Sequence, residues 1–407
     1  MPHSKQITLH EDALLPGLRH RWRTLIGLGV VGILAAAVVT GYARRPGAAA
    51  LWGGLALTVW LYQGVFVWNR LGRNHRRDET TLLADFGPGT SLTFVRGWLL
   101  ACLAGFLLIL RPAGDLGWLP AVTYVLADVA DYLDGYLARI SNHSTLLGEA
   151  LDIEFDALGL LIAVALAIHY SVLPVWYLPV GLARYAFLFG LWLRERTRRP
   201  IFPLPPSDAR RPLAGLQMGM LSVVLVPILR PPVTSLAGLV FGIPLLAGFA
   251  RDWFVVSGVI DPASEGYQEL RRVLKRILLR WLPVPLRLIA FVQVILLTRP
   301  RILVVSGAAG AMPIAGPEPM SAASTVVRLA EITAAVAIAL GVAPRVSACV
   351  VLGTLVVHAA GSDVSPAMLA ALLATIGVLI LGSGALSVWQ PEPRWLGRRA
   401  GEKTVVS

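Results

Sequence analysis

Cysteine is nearly missing from this chain, with two in 407 residues. Cys102 and Cys349 lie far apart, each within an apolar segment, so no disulfide framework is expected and both read as small packing residues. Charge is also scarce: 15% of residues are Asp, Glu, Lys or Arg, against 56% hydrophobic. That balance excludes the solvated surface of an ordinary soluble protein. A small-residue cleavage site is missing after the first apolar run, which follows the basic stretch "RHRWR". This argues for a retained first helix rather than a removed secretory leader. No inverted repeat is evident, and the arginines flank apolar runs instead of forming one basic domain. The net charge of +12 therefore reads as attraction to anionic headgroups, with no nucleic-acid partner.

What is present is apolar sequence in blocks of roughly 18 to 25 residues, the length that crosses a hydrocarbon core as a helix. The expected fold is all-α, a polytopic helical membrane protein with about 11–12 transmembrane helices. Two spans, about 24–42 and 48–68, and a basic linker make up residues 1–80. Residues 81–260 hold a short amphipathic piece at 82–96, broken by Gly and Pro, and six spans near 96–112, 117–139, 146–170, 173–194, 213–230 and 234–257. Residues 261–282, with "GYQELRRVLKRILLRWL", form a basic amphipathic helix suited to the membrane surface. Residues 283–400 hold three or four further spans, the first interrupted by Pro283 and Pro285. Arginine placement favours a cytoplasmic N-terminus, with Arg70, Arg73, Arg76, Arg77 and the 271–280 cluster inside.

The acids that remain are concentrated. "DYLDGYLARISNHSTLLGEALDIEFD", residues 131–156, carries four aspartates. Asp131 and Asp134 are three apart near the end of one span; Asp152 and Asp156 are four apart at the start of the next. Each pair shares a helix face. The short polar turn "RISNHST" makes the two helices antiparallel neighbours, so all four carboxylates converge. Gly135, Ala138 and Gly148 allow close approach of backbone or ligand. Four carboxylates at such range need a compensating cation, and an oxygen-only set suits hard divalent ions, Mg²⁺ or Mn²⁺. Two ions would bridge a diphosphate. A carboxylate could then deprotonate an attacking alcohol, and Arg139 offers a forked phosphate donor.

These residues follow D-x2-D-G-x2-A-R-x8-G-x3-D-x3-D. With Asp131, Asp134, Gly135, Ala138, Arg139, Gly148, Asp152 and Asp156 at every fixed position, the stretch resembles the signature of the CDP-alcohol phosphotransferase family, over about residues 85–260. The resemblance implies that Asp131, Asp134, Asp152 and Asp156 hold two metal ions and that Asp156 is also the general base. It implies that Gly135, Arg139, Thr145 and Gly148 contact the cytidine diphosphate of CDP-diacylglycerol. The upstream family pattern P-N-x-L-T-x-x-R is matched in part by "GTSLTFVR" through Leu92, Thr93 and Arg96, placing Thr93 near the nucleotide, while Gly89 and Thr90 replace Pro and Asn. "ARDWFVVSG" (250–258) resembles the phosphatidylglycerophosphate synthase branch. The acceptor stays open among glycerol phosphate, inositol phosphate, inositol and serine, with Arg184, Arg211 and Gln217 as candidate acceptor ligands. The implied setting is phospholipid synthesis at the inner (plasma) membrane, the active site facing the cytoplasm. Relatives of this kind tend to pair, so a homodimer is an expectation.

Asp128 reads as part of a structural polar network and His143 as a water-facing loop histidine. The C-terminal segments "RLAEITAA", "GVAPR" and "LGSGALSVW" resemble the DoxX-like membrane family, with Glu331 paired to Arg328 or Arg345. Two rival readings are a cation carrier, which calls for acids in several spans, and a scaffold acting through the DoxX-like half.

Overall fold

The computed structural model describes residues 2–43, 46–205, 210–227, 229–298, 322–361 and 365–390. The described residues are mostly helical, and no strand forms among them; one isolated bridge joins Val342 to Trp389. They fall into two compact units that divide between Ser257 and Gly258.

The first unit runs α1 (Pro2–Ala43), α2 (Pro46–Trp68), α3 (Gly87–Gly105), α4 (Leu119–Ile140), α5 (Leu146–His169), α6 (Leu178–Arg196), α7 (Arg210–Val224) and α8 (Val233–Val256). Its core is built around α3, which packs against α2, α4 and α5. Glycine makes that possible. A Cβ on Gly89 would lie 2.7 Å from the Asp134 carbonyl oxygen, and one on Gly97 would lie 2.7 Å from both Gln63 Oε1 and Phe155. Tryptophans tie the N-terminal helices to this core by donating to main-chain carbonyls. Trp60 reaches Ile26 O, Trp22 reaches Gly64 O, and Trp98 reaches Gly29 O, each at 3.0 Å. Residues 1–80 and 81–257 thus share one unit.

The expected amphipathic piece at 82–96 does not form separately. Pro88 occupies the first turn of α3, where its missing N–H is not needed and its fixed φ favours the helix. The helix starts at Gly87, well before the expected 96, because proline opens it instead of breaking it.

The second unit holds α9 (Glu265–Lys275), a π-helical turn over Arg276–Trp281, α10 (Pro283–Thr298), α11 (Ala322–Leu340), α12 (Pro344–Gly361) and α13 (Pro366–Leu381). Pro283 and Pro285, expected to interrupt the first span of 283–400, stand in the opening turns of α10. Arg287, almost wholly buried, donates to the carbonyls of Ser383 (2.7 Å), Ala339 (2.9 Å), Ala385 and Leu386 (both 3.1 Å) and to Ser387 Oγ (2.8 Å). Buried Glu331 accepts from Thr354 Oγ1 at 3.3 Å, and Arg345 donates to Ile380 O at 3.3 Å.

Five described stretches are long and apolar enough to cross a membrane: Leu14–Val39, Pro46–Trp68, Gly87–Leu108, Val233–Val256 and Glu265–Thr298. Shorter apolar helices lie at Leu213–Val224, Pro344–Leu355 and Ala367–Leu381. The protein is therefore an all-α, polytopic membrane protein.

Candidate active site

The acidic stretch folds as a helical hairpin. Thr145 ends the turn in extended backbone and caps α5, its Oγ1 accepting from Gly148 N at 3.0 Å, a cap worth about 1 kcal/mol. The linker segment 74–85 braces this turn. Asn74 donates to the carbonyls of Leu83 (3.1 Å) and Asp85 (2.8 Å). His75 O accepts from Leu146 N at 3.0 Å, Arg76 Nε donates to Asn142 O at 3.0 Å, and Arg77 pairs with Glu149 at 2.8 Å. His143 departs from expectation. Its ring fills the space that a Cβ would take at Gly87, itself at a φ of +67°, and Nε2 lies 3.1 Å from Asp85 O. Its side chain is 15% exposed, so it belongs to the brace, not to water.

Above the turn, three of the four aspartates expected to converge come together. One oxygen from each of Asp131, Asp152 and Asp156 lies within 4.8 Å of the others. Asp134 is more enclosed: its carboxylate, 7% exposed, accepts from Thr93 Oγ1 at 2.8 Å. Asp152 and Asp156 are 53% and 43% exposed, so the cluster opens outward on the α5 side. Gly135 leaves space that Arg139 uses; a Cβ there would sit 3.1 Å from Arg139 Nη1. Asp128, one turn deeper on α4, accepts from Ser222 Oγ, in keeping with a structural network.

A residue given no role from sequence occupies the centre. Arg96, on α3, is 1% exposed and pairs with all four acids: Asp131 at 2.5 Å, Asp152 at 3.5 Å, Asp134 at 4.0 Å, and Asp156. Its sequence signal was an arginine inside an apolar span, at a matching position of the partial upstream pattern. Four carboxylates facing one guanidinium leave the site short of positive charge. Oxygen-only donors, closely spaced and partly open, fit a hard divalent cation.

Arg184, Arg211 and Gln217 are the candidate acceptor residues. Gln217 is buried and donates to the Tyr177 hydroxyl. Arg184 is half-buried on α6, and none of its described contacts, nor those of Gln217, reach the carboxylates. The Arg211 side chain lies outside the described residues. A polar pair that sequence reasoning passed over lies on the other side of α5, where Glu154 accepts from the Tyr62 hydroxyl at 2.7 Å. Cys102 is buried in α3 as expected, whereas Cys349 is exposed on α12.

The segment that builds this site, residues 89–250, matches the model of the CDP-alcohol phosphatidyltransferase family. Among curated proteins, the chain is 36% identical over 91 residues to a CDP-diacylglycerol–glycerol-3-phosphate 3-phosphatidyltransferase of Cereibacter sphaeroides, covering 22% of this chain and 40% of that protein. It is 33% identical over 106 residues to proteins of Mycobacterium bovis and Mycobacterium tuberculosis named "Putative cardiolipin synthase", covering 25% of this chain and 50% of each. The chain thus spans half or less of the length of these relatives. No solved structure matches it.

Proposed function

We propose that the chain is an integral membrane phosphotransferase of phospholipid biosynthesis. It moves a phosphatidyl group from CDP-diacylglycerol to a small polar alcohol and releases CMP. The observation that carries this reading is the convergence of Asp131, Asp152 and Asp156 within 4.8 Å, inside the segment that matches the family model.

In this reading Asp131, Asp134, Asp152 and Asp156 hold Mg²⁺ or Mn²⁺, two ions in all. Bound there, the ions supply positive charge to the diphosphate and to the leaving nucleotide. The chain's own residues do the rest. Thr93 fixes the rotamer of Asp134. Thr145 and Gly148 shape the start of α5, and Arg139, lying over Gly135, faces the phosphates. Asp156, partly open, takes the hydroxyl proton of the acceptor as its oxygen bonds to the β-phosphorus. The bond from that phosphorus to the CMP oxygen breaks, leaving a phospholipid, CMP and a protonated Asp156. The lipid tails stay in the bilayer while the nucleotide meets the carboxylates at the cytoplasmic side. Glycerol phosphate is the first acceptor to test, since one relative is named for it and residues 250–258 resemble that branch. Inositol, inositol phosphate and serine follow.

Purified full-length protein in detergent, given labelled CDP-diacylglycerol, Mg²⁺ and each acceptor in turn, is expected to yield CMP and one new phospholipid. Loss of product in Asp156→Asn supports the assignment of the base; full turnover by that variant overturns it.

A further inference from the structure

We infer that Arg96 is a resident counter-cation of the acidic cluster, competing with divalent ions for the same carboxylates and thereby setting the metal affinity of the site. The inference rests on the reading of those carboxylates as metal ligands and concerns a residue that reading does not use.

The geometry is specific. Arg96 Nη1 stands 2.5 Å from Asp131 Oδ1 and 3.5 Å from Asp152 Oδ1, and Nη2 contacts Asp156 Oδ1. These three residues are the ones whose oxygens lie within 4.8 Å of one another. A guanidinium and a metal ion drawing on the same carboxylates repel each other at this range, so occupancy by one weakens the other. At 1% exposure the guanidinium has no water to retreat to, and a buried charge is tolerable only when paired. Asp131 Oδ1, for its part, accepts no hydrogen bond of good geometry despite the nearby guanidinium.

Without metal, Arg96 keeps four acids from repelling one another and holds α3, α4 and α5 in register. With metal, the guanidinium shares the carboxylates with the ion, and its remaining N–H groups face anionic oxygen.

The test uses the full chain in detergent micelles, stripped of metal with EDTA, with Mn²⁺ binding followed by electron paramagnetic resonance. Arg96→Gln should bind Mn²⁺ at least about tenfold more tightly than wild type, because a competing positive charge is gone. Arg96→Lys should fall between the two. Thermal unfolding provides the second measurement: Arg96→Gln should lose far more stability in EDTA than in saturating Mn²⁺. If Arg96→Gln does not fold without metal, the affinity of Arg96→Lys and recovery of the Arg96→Gln fold by Mn²⁺ decide the matter. Equal or weaker Mn²⁺ affinity in both variants overturns the role of Arg96 while leaving the metal site intact. No Mn²⁺ binding by wild type or variants overturns both readings together.

Discussion

The Tyr62 hydroxyl donates a 2.7 Å hydrogen bond to Glu154 Oε1, joining α2 to the helix that carries Asp152 and Asp156. Glu154 is 8% exposed and lies between those two aspartates in sequence. The bond therefore makes an N-terminal helix, outside the segment that matches the family model, part of the frame around the acids. Tyr62→Phe leaves a buried carboxylate without this donor, a loss of about 1–3 kcal/mol. The thermal midpoint should fall and CMP release should drop several-fold. A variant indistinguishable from wild type in both measurements would mean that α2 does not support the site.

Gly89 sets how closely α3 can approach α4. A methyl group there would meet the Asp134 carbonyl at 2.7 Å and the Ala138 methyl at 2.8 Å, so neither neighbour can yield cheaply. Gly89→Ala should destabilise the first unit and displace Asp134, lowering turnover at least tenfold. Gly72→Ala is the matched control, since nothing lies within 4 Å of its added Cβ; it should match wild type. Equal behaviour of the two variants in thermal unfolding would contradict the tight crossing.

Thr93 holds Asp134 by a 2.8 Å hydrogen bond. Groups that orient metal ligands typically change metal affinity by about 10–100-fold when lost. Thr93→Val should raise the Mg²⁺ concentration needed for half-maximal turnover by about that factor, with less effect at saturating Mg²⁺. An unchanged Mg²⁺ dependence would leave Thr93 a packing residue.

In the second unit, Arg287 gathers four carbonyls and one hydroxyl from separate segments. Arg287→Ala should cost more than about 2 kcal/mol, since one buried and three part-buried carbonyls lose their donor at once, and should expose residues 383–387 to protease. Arg287→Lys should rescue only part of this, because an ammonium cannot reproduce the planar fork. Unchanged proteolysis in both variants would contradict the clamp.

Much of the candidate site was legible in sequence because helical spacing is rigid: three and four residues put each aspartate pair on one face, and a short turn forced the hairpin. What stayed hidden depended on contacts between distant segments. Arg96 lies 35 residues before Asp131, and nothing local says that its guanidinium ends among four acids. The bracing of the hairpin turn by residues 74–85 was equally invisible, since a basic linker reads as a solvated loop until its partners are known. His143 was misread for the same reason: its neighbour Gly87 is remote in sequence. The start of α3 was misplaced through the ambiguity of proline, which opens a helix as readily as it ends one.

In the proposed reaction, divalent ions held by the acids of the hairpin make a cytidine diphosphate linkage reactive toward an alcohol. CMP release from CDP-diacylglycerol by the purified chain, measured against Mg²⁺ or Mn²⁺ concentration, tests it most directly. The account predicts no release in EDTA, saturable activation by either ion, and a loss of about 10²-fold or more in Asp131→Asn and Asp152→Asn. Full-rate release in EDTA, or unchanged release by both variants, would contradict it.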